Sequence, residues 1–202
     1  MKIAVFGGTF NPVHNGHTNA AKVVMEKGLA DKMIVIPDRI PPHKQAENLA
    51  SGKDRLNMCR LAFSDIKGVE FSDWELKQTG KSYSVKTLRH FHQIFPEDRL
   101  YFLMGSDMLL SFRSWYKWEE ILTLSGIICL ARNEEDINRL EPFAEQLRRE
   151  GGEVIIVNSP PLEISSTQIR ENLKKNCNYT CYLQKNVVQY IVDNNLYDIC
   201  DS

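Results

Sequence analysis

Short apolar, β-branched runs alternate along this chain with segments whose apolar residues recur at helical spacing. Ile3-Ala4-Val5-Phe6 opens the chain as a short buried strand, and residues 18–28 read as a helix closed by Gly28 after its last turn. Met33-Ile34-Val35-Ile36-Pro37 reads as a second strand ending at a proline, and residues 38–51 as irregular and polar. A helix over about 53–64 carries Leu56, Cys59, Leu61, Ala62 and Phe63, and Val69-Glu70-Phe71-Ser72 has a weaker strand pattern. Residues 84–95 set Val85, Leu88, Phe91, Ile94 and Phe95 on one helical face, halted by Pro96. Leu100-Tyr101-Phe102-Leu103-Met104, Ile127-Ile128-Cys129-Leu130-Ala131 and Val154-Ile155-Ile156-Val157 are nearly continuous apolar runs. Residues 164–174 and 185–195 read as two closing helices, the second turning Val187, Val188, Ile191 and Val192 inward.

Strands apolar on both faces belong in a parallel sheet covered by helices. The alternation therefore predicts a doubly wound, Rossmann-like α/β domain, one unit over residues 1–202 with the helices of about 164–197 packed on it. In such a fold the loops after Phe6, Pro37, Met104, Ala131 and Val157 gather at the carboxyl edge, where ligands bind. The length of 202 residues suffices for a sizeable core without disulfides. A net charge of −1 argues against general attraction to nucleic acid or membranes, so positive potential must be local. No apolar stretch approaches ~20 residues and no leader pattern opens the chain, so a cytoplasmic protein is expected. Its five scattered cysteines suit a reducing compartment; Cys177 and Cys181 stand four apart, without a second pair at zinc-site spacing.

The chemistry concentrates in Gly7-Gly8-Thr9-Phe10-Asn11-Pro12-Val13-His14-Asn15-Gly16-His17, between the first strand and the first helix. Free backbone N–H groups converge at a helix N-terminus, where the dipole adds roughly half a positive charge. His14 and His17 at that mouth add donors suited to phosphate oxygens, which makes the segment a candidate triphosphate cradle. The Gly-x-Gly-x-x-Gly and Gly-Lys-Ser/Thr fingerprints are absent. A second candidate is Ile164-Ser165-Ser166-Thr167-Gln168-Ile169-Arg170, in which N-cap residue types start a helix and Arg170 lies one turn on. Alone, it reads rather as an ordinary capped helix. In Pro41-Pro42-His43-Lys44 two prolines stiffen a loop that presents Lys44, a residue otherwise read as simply solvated.

These motifs resemble those of the nucleotidyltransferase superfamily: His14-Asn15-Gly16-His17 its His-x-Gly-His signature, and Ile164 to Arg170 its Ile-Ser-Ser-Thr-x-Ile-Arg signature. Pro41-Pro42-His43-Lys44 is similar to a segment of the bacterial nicotinate-nucleotide adenylyltransferases. So is Ser82-Tyr83-Ser84-Val85-Lys86-Thr87-Leu88, with Ser84 in place of the usual threonine, and so is Gly105-Ser106-Asp107 followed by Trp115, Tyr116 and Trp118. The chain departs from that pattern at Asn133-Glu134, where Pro-Gly is usual, and at Gln184-Lys185, where a proline is expected.

The resemblance implies transfer of the adenylyl group of ATP to nicotinate mononucleotide, with no covalent enzyme intermediate. His14, His17, Lys44 and Arg170 would carry the chemistry, and Gly7, Gly8, Thr9, Phe10, Gly105, Ser165, Ser166 and Thr167 would bind ATP. Tyr83, Ser84, Thr87, Asp107, Trp115 and Tyr116 would bind the mononucleotide: Trp115 stacking on the pyridine, the amides of Ser84 and Tyr116 on its carboxylate, Asp107 on the ribose. Trp118 is expected to pack in the core. Mg²⁺ would enter on the ATP phosphates, with no dedicated protein metal site. Rivals are a nicotinamide-mononucleotide or phosphopantetheine adenylyltransferase and a non-catalytic nucleotide sensor. The oligomeric state stays open, a homodimer among the options.

Overall fold

A computed structural model of the chain describes residues 1–39, 48–159, 164–175 and 177–197. Six strands form one all-parallel sheet: β1 (Lys2–Gly8), β2 (Lys32–Pro37), β3 (Val69–Phe71), β4 (Arg99–Gly105), β5 (Gly126–Ala131) and β6 (Val154–Asn158). Their order is β3-β2-β1-β4-β5-β6. The direction of winding reverses between β1 and β4, which opens a crevice beyond their carboxyl ends. Gly7 and Gly8 pair with Ile36 and Pro37, so the loops after β1 and β2 leave the sheet side by side.

The helices are α1 (Asn15–Glu26), α2 (Gly52–Ala62), α3 (Trp74–Lys77), α4 (Ser84–Ile94), α5 (Ser106–Leu110), α6 (Trp118–Leu124), α7 (Glu134–Arg149), α8 (Ser166–Lys174) and α9 (Lys185–Asp193). They divide between the two faces of the sheet. One cluster joins Ala4, Phe6, Met33 and Val35 to Ala21, Met58, Leu173 and Ile191 of α1, α2, α8 and α9. The other joins Ile3, Val5, Phe102 and Cys129 to Leu88, Ile121 and Leu147 of α4, α6 and α7. Buried on both faces, the strands need the unbroken apolar runs that the sequence gives them.

The expected strands are present, and α1 begins three residues earlier than its apolar pattern, at Asn15. The 16-residue α7 is not legible from periodicity because Pro142 interrupts it. An internal proline costs about 3 kcal/mol. Packing offsets that cost, since α7 buries Leu140, Ala144 and Leu147 and supplies the crossover between β5 and β6. Asn133 caps it by accepting the Asp136 N–H at 2.8 Å, and the acids of its first turn and arginines of its last complement the helix dipole. The Asn133-Glu134 departure thus starts a helix. Gln184 likewise stands at the N-cap of α9, its amide donating to Asn15 Oδ1 at 3.2 Å.

Candidate functional site

The loop leaving β1 reaches α1 through a turn that its own side chains brace. Phe10 adopts a left-handed backbone (φ 47°) and buries its ring against Phe6, Phe63 and His17. A Cβ on Gly8 would meet that ring at 3.0 Å, so a larger residue there would have to displace it. His14 caps α1: its Nδ1 accepts the Gly16 N–H at 3.1 Å, while its own N–H donates to His17 Nδ1 at 3.2 Å. A neutral imidazole carries one proton, so an accepting Nδ1 leaves it on Nε2. The backbone thereby sets one tautomer in both rings, with Nε2–H as donor. Burial lowers the His14 pKa to about 4, which keeps that ring neutral near pH 7. A Cβ on Gly16 would lie 3.0 Å from the His14 ring, so a larger residue there would press on the imidazole.

The second candidate motif folds onto this loop from far along the chain. Ser165 caps α8, its hydroxyl accepting the Gln168 N–H at 3.2 Å in a reciprocal capping box. Ser166 Oγ donates to Pro12 O at 2.8 Å, and Arg170 donates from Nη1 to Asn11 O at 2.7 Å and from Nη2 to Thr167 Oγ1 at 3.4 Å. Among the described residues, two of the five guanidinium N–H bonds are thus engaged. Asn11 is the buried hub beneath: its side chain takes the Tyr197 hydroxyl at 2.8 Å and the Ala50 N–H at 3.1 Å, and donates to Asn48 O at 3.1 Å. The hydrogen bonds of Ser166 and Arg170 thus bring the start of α8 onto the loop that leads into α1 and its two imidazoles, with Gly7 and Thr9 partly exposed.

The residues expected to bind the mononucleotide lie on α4 and on the segment that follows β4. Ser84 begins α4, and the Tyr83 and Tyr116 rings lie 5.0 Å apart. Trp115 is half-buried, edge-on to Phe102 at 5.8 Å; Trp118 is also half-buried, with Arg113 4.9 Å above its ring. The two indoles are therefore less sharply divided into core and site than their sequence positions suggest. Gly105 ends β4, and a Cβ there would meet nothing within 4 Å. Asp107 is exposed and its carboxylate accepts from Arg132 Nη2 at 2.7 Å, so ribose binding there would compete with an ion pair. The side chains of Phe10 and Thr87 are buried. Pro41, Pro42, His43 and Lys44 lie outside the described residues.

Sequence reasoning missed three polar residues under the site. Arg55 of α2 is 1% exposed, the bulkiest fully buried side chain among those described. It donates to the carbonyls of Thr9 (2.7 Å), Asp38 (2.7 Å) and Ala50 (3.1 Å). Asp38 accepts the Thr9 hydroxyl at 2.9 Å. Buried Glu75 accepts the Thr87 hydroxyl at 2.5 Å; burial raises its pKa, and hydrogen bonds from Thr87 and Ser82 offset part of that rise. One signal was available for Arg55: it shares the buried face of α2 with Met58, Cys59 and Ala62, where a charge needs a reason.

Comparison with known proteins shows the family. The cytidylyltransferase-like family model matches residues 5–172. A protein named probable nicotinate-nucleotide adenylyltransferase from Shewanella baltica is 34% identical, over 98% of this chain and 99% of that protein. A second of the same name, from Caldicellulosiruptor saccharolyticus, is 35% identical with the same shares. In fold, the chain is similar to the Plasmodium falciparum nicotinic acid mononucleotide adenylyltransferase solved with NaAD (TM-score 0.80, 21% identity, 98% of each chain covered).

Proposed function

The chain belongs to the nicotinate-nucleotide adenylyltransferases of the cytidylyltransferase-like family, and on that premise we propose that it joins ATP to nicotinate mononucleotide, giving nicotinate adenine dinucleotide and pyrophosphate. The observation that carries this reading is the pair of imidazoles fixed by backbone N–H groups at the mouth of α1, next to Arg170 and the start of α8. In the reaction a 5′-phosphate oxygen of the mononucleotide bonds to the α-phosphorus of ATP as the bond to the β-phosphate oxygen breaks. Pyrophosphate leaves with that electron pair. A phosphate monoester is already an anionic nucleophile, so the protein supplies position and charge stabilisation and no covalent intermediate.

His17 is assigned to the α-phosphate, and His14, Lys44, Ser166, Thr167 and Arg170 to the β- and γ-phosphates. Neutral Nε2–H donors suit this task, since they stabilise charge as it develops without delivering a proton at the wrong moment. Backbone N–H groups near Ser84 and Tyr116, with the Trp115 ring, are assigned to the nicotinate moiety. Among the described residues no group of three His, Cys, Asp or Glu side chains is placed to hold a metal ion. The donors at the site match phosphate instead, which fits Mg²⁺ arriving on the triphosphate with water completing its shell, where it would neutralise charge on the leaving group. No described helix is long and apolar enough to cross a membrane. A cytoplasmic location, in keeping with the free thiols of Cys59, Cys129, Cys177 and Cys181, belongs to the same proposal.

Pyrophosphate release on mixing the protein with ATP and nicotinate mononucleotide tests the reading. Release is expected only with both substrates, and His17→Ala should cut kcat by at least ~10²-fold, as for loss of one preorganised donor. ATP bound without turnover would favour the nucleotide sensor.

A further inference from the structure

Arg55 sits behind the phosphate-binding loop, and its hydrogen bonds gather three segments. Nε donates to Ala50 O at 3.1 Å, Nη1 to Thr9 O at 2.7 Å and Nη2 to Asp38 O at 2.7 Å. Nη1 also lies 3.5 Å from the Asp38 carboxylate, which itself accepts the Thr9 hydroxyl. A buried guanidinium facing mainly carbonyls is a costly arrangement, tolerated where its planar fork holds something in place. What it holds is the residue before Phe10, whose left-handed φ of 47° is uncommon for a bulky side chain. Strained conformations persist only where their surroundings over-determine them, and they cluster at functional sites. Here the clamp lies on the Thr9 carbonyl and the packing on the Phe10 ring. The same Phe10 ring lies 5.0 Å from the His17 ring, so a shift at Thr9 would pass directly to the imidazole pair.

We propose that Arg55 is a positioning residue for adenylyl transfer: by fixing the Thr9 carbonyl it holds the Phe10 turn, and through Phe10 the place of His17. The clamp also reaches toward the acceptor side. Next to Asp38, Arg39 N donates to Ser82 Oγ at 3.0 Å and Arg39 Nη1 to Gln78 O at 2.8 Å. The Asp38-Arg39 stretch therefore braces both the triphosphate loop and the segment leading into α4. The proposal rests on reading the His14–His17 loop as the ATP site.

The test uses Arg55→Lys, which keeps the charge but loses the fork, and Arg55→Gln, which keeps two donors and loses the charge. For each, kcat per active site, KM for both substrates and the melting temperature are measured, together with the calorimetric affinity for ATP alone. Displacement of a catalytic donor by a fraction of an ångström should lower kcat by about tenfold or more in Arg55→Lys, with KM for the mononucleotide within about twofold of the parent. Arg55→Gln should lose more than Arg55→Lys. A role in stability alone predicts a lower melting temperature with kcat per active site and both KM values unchanged, and that result overturns the proposal. Failure of both variants to fold overturns it as well, since Arg55 would then serve the whole domain. If the parent protein itself releases no pyrophosphate, the functional reading fails; if it does and the folded variants match it, only the role of Arg55 fails.

Discussion

His14 and His17 lie with ring centroids 3.8 Å apart and ring planes tilted by 31°, and the backbone N–H of the first donates to Nδ1 of the second. Two imidazolium ions at that separation would repel, and each would lose the Nδ1 lone pair that accepts its backbone bond. The pair is therefore built to work neutral, and acidification should disrupt it.

That gives the first prediction. Burial lowers the folded pKa of His14 to about 4, against an ordinary 6.5. Between those values the unfolded chain binds the extra proton and the folded chain does not, so stability is full above about pH 6.5 and falls as pH drops toward 4. The loss amounts to about 3 kcal/mol at 1.36 kcal/mol per pKa unit. Denaturant melts at a series of pH values should show this slope, and it should be smaller in His14→Asn, which keeps an N-cap acceptor without a titrating ring. Equal slopes in the two proteins would remove His14 as the cause.

A second prediction separates helix stability from catalysis at Gly16. Alanine is a better helix residue than glycine by roughly 0.5–1 kcal/mol. A Cβ here would nevertheless press on the His14 ring at 3.0 Å. Gly16→Ala should therefore melt within a few degrees of the parent while kcat falls about tenfold to a hundredfold, as displacement of a catalytic group produces. Unchanged kcat would mean that the ring can yield without consequence.

Arg170→Lys should be harmful although it conserves charge. The arginine anchors itself on Asn11 O, and its planar fork has further N–H bonds for a ligand than the two engaged among the described residues. A lysine offers one point charge, and it cannot hold the loop and a phosphate together in the same geometry. The expected cost is on the order of 1–3 kcal/mol in kcat/KM for ATP, with KM for the mononucleotide little changed. Matching kinetics for ATP would show that Arg170 serves only to brace the loop.

Choice between acid and amide mononucleotides tests the acceptor side. If the backbone N–H groups near Ser84 and Tyr116 hold the nicotinate as proposed, they satisfy both oxygens of a carboxylate, whereas an amide would turn its NH₂ group toward one of them. An unpaired buried donor costs about 1–3 kcal/mol, so the acid should be preferred roughly tenfold to a hundredfold in kcat/KM. Trp115→Ala should weaken both substrates and move their ratio less, and Ser84→Thr should be tolerated. Equal kcat/KM for acid and amide, or a preference for the amide, would overturn the substrate assignment and leave adenylyl transfer standing.

The strands, most of the long helices and the two candidate phosphate-binding motifs are legible in the sequence because each is a local matter. A buried parallel strand needs an unbroken apolar run, and a helix N-terminus needs a capping side chain and a glycine where a ring lies close. Asn15 to His17 and Ser165 to Arg170 state those needs within a few residues. The helix at Glu134–Arg149 escaped because Pro142 defeats local propensity, and only burial of Leu140, Ala144 and Leu147 outweighs it.

Tertiary structure alone decided which polar groups meet. Ser166 reaches Pro12 across 154 residues of chain, and Tyr197 reaches Asn11 across 186. No periodicity records such a contact, since it depends on where the sheet order brings the loops and on which buried donors remain to be satisfied. The same holds for Arg55, an ordinary helix arginine in sequence. It has three carbonyl partners only because the β1 and β2 loops leave the sheet side by side above α2, and because a buried guanidinium must find acceptors or lose much of its hydration energy. Asp107 shows the converse: its place after β4 was readable, but its ion pair with Arg132 was set by the turn into α7.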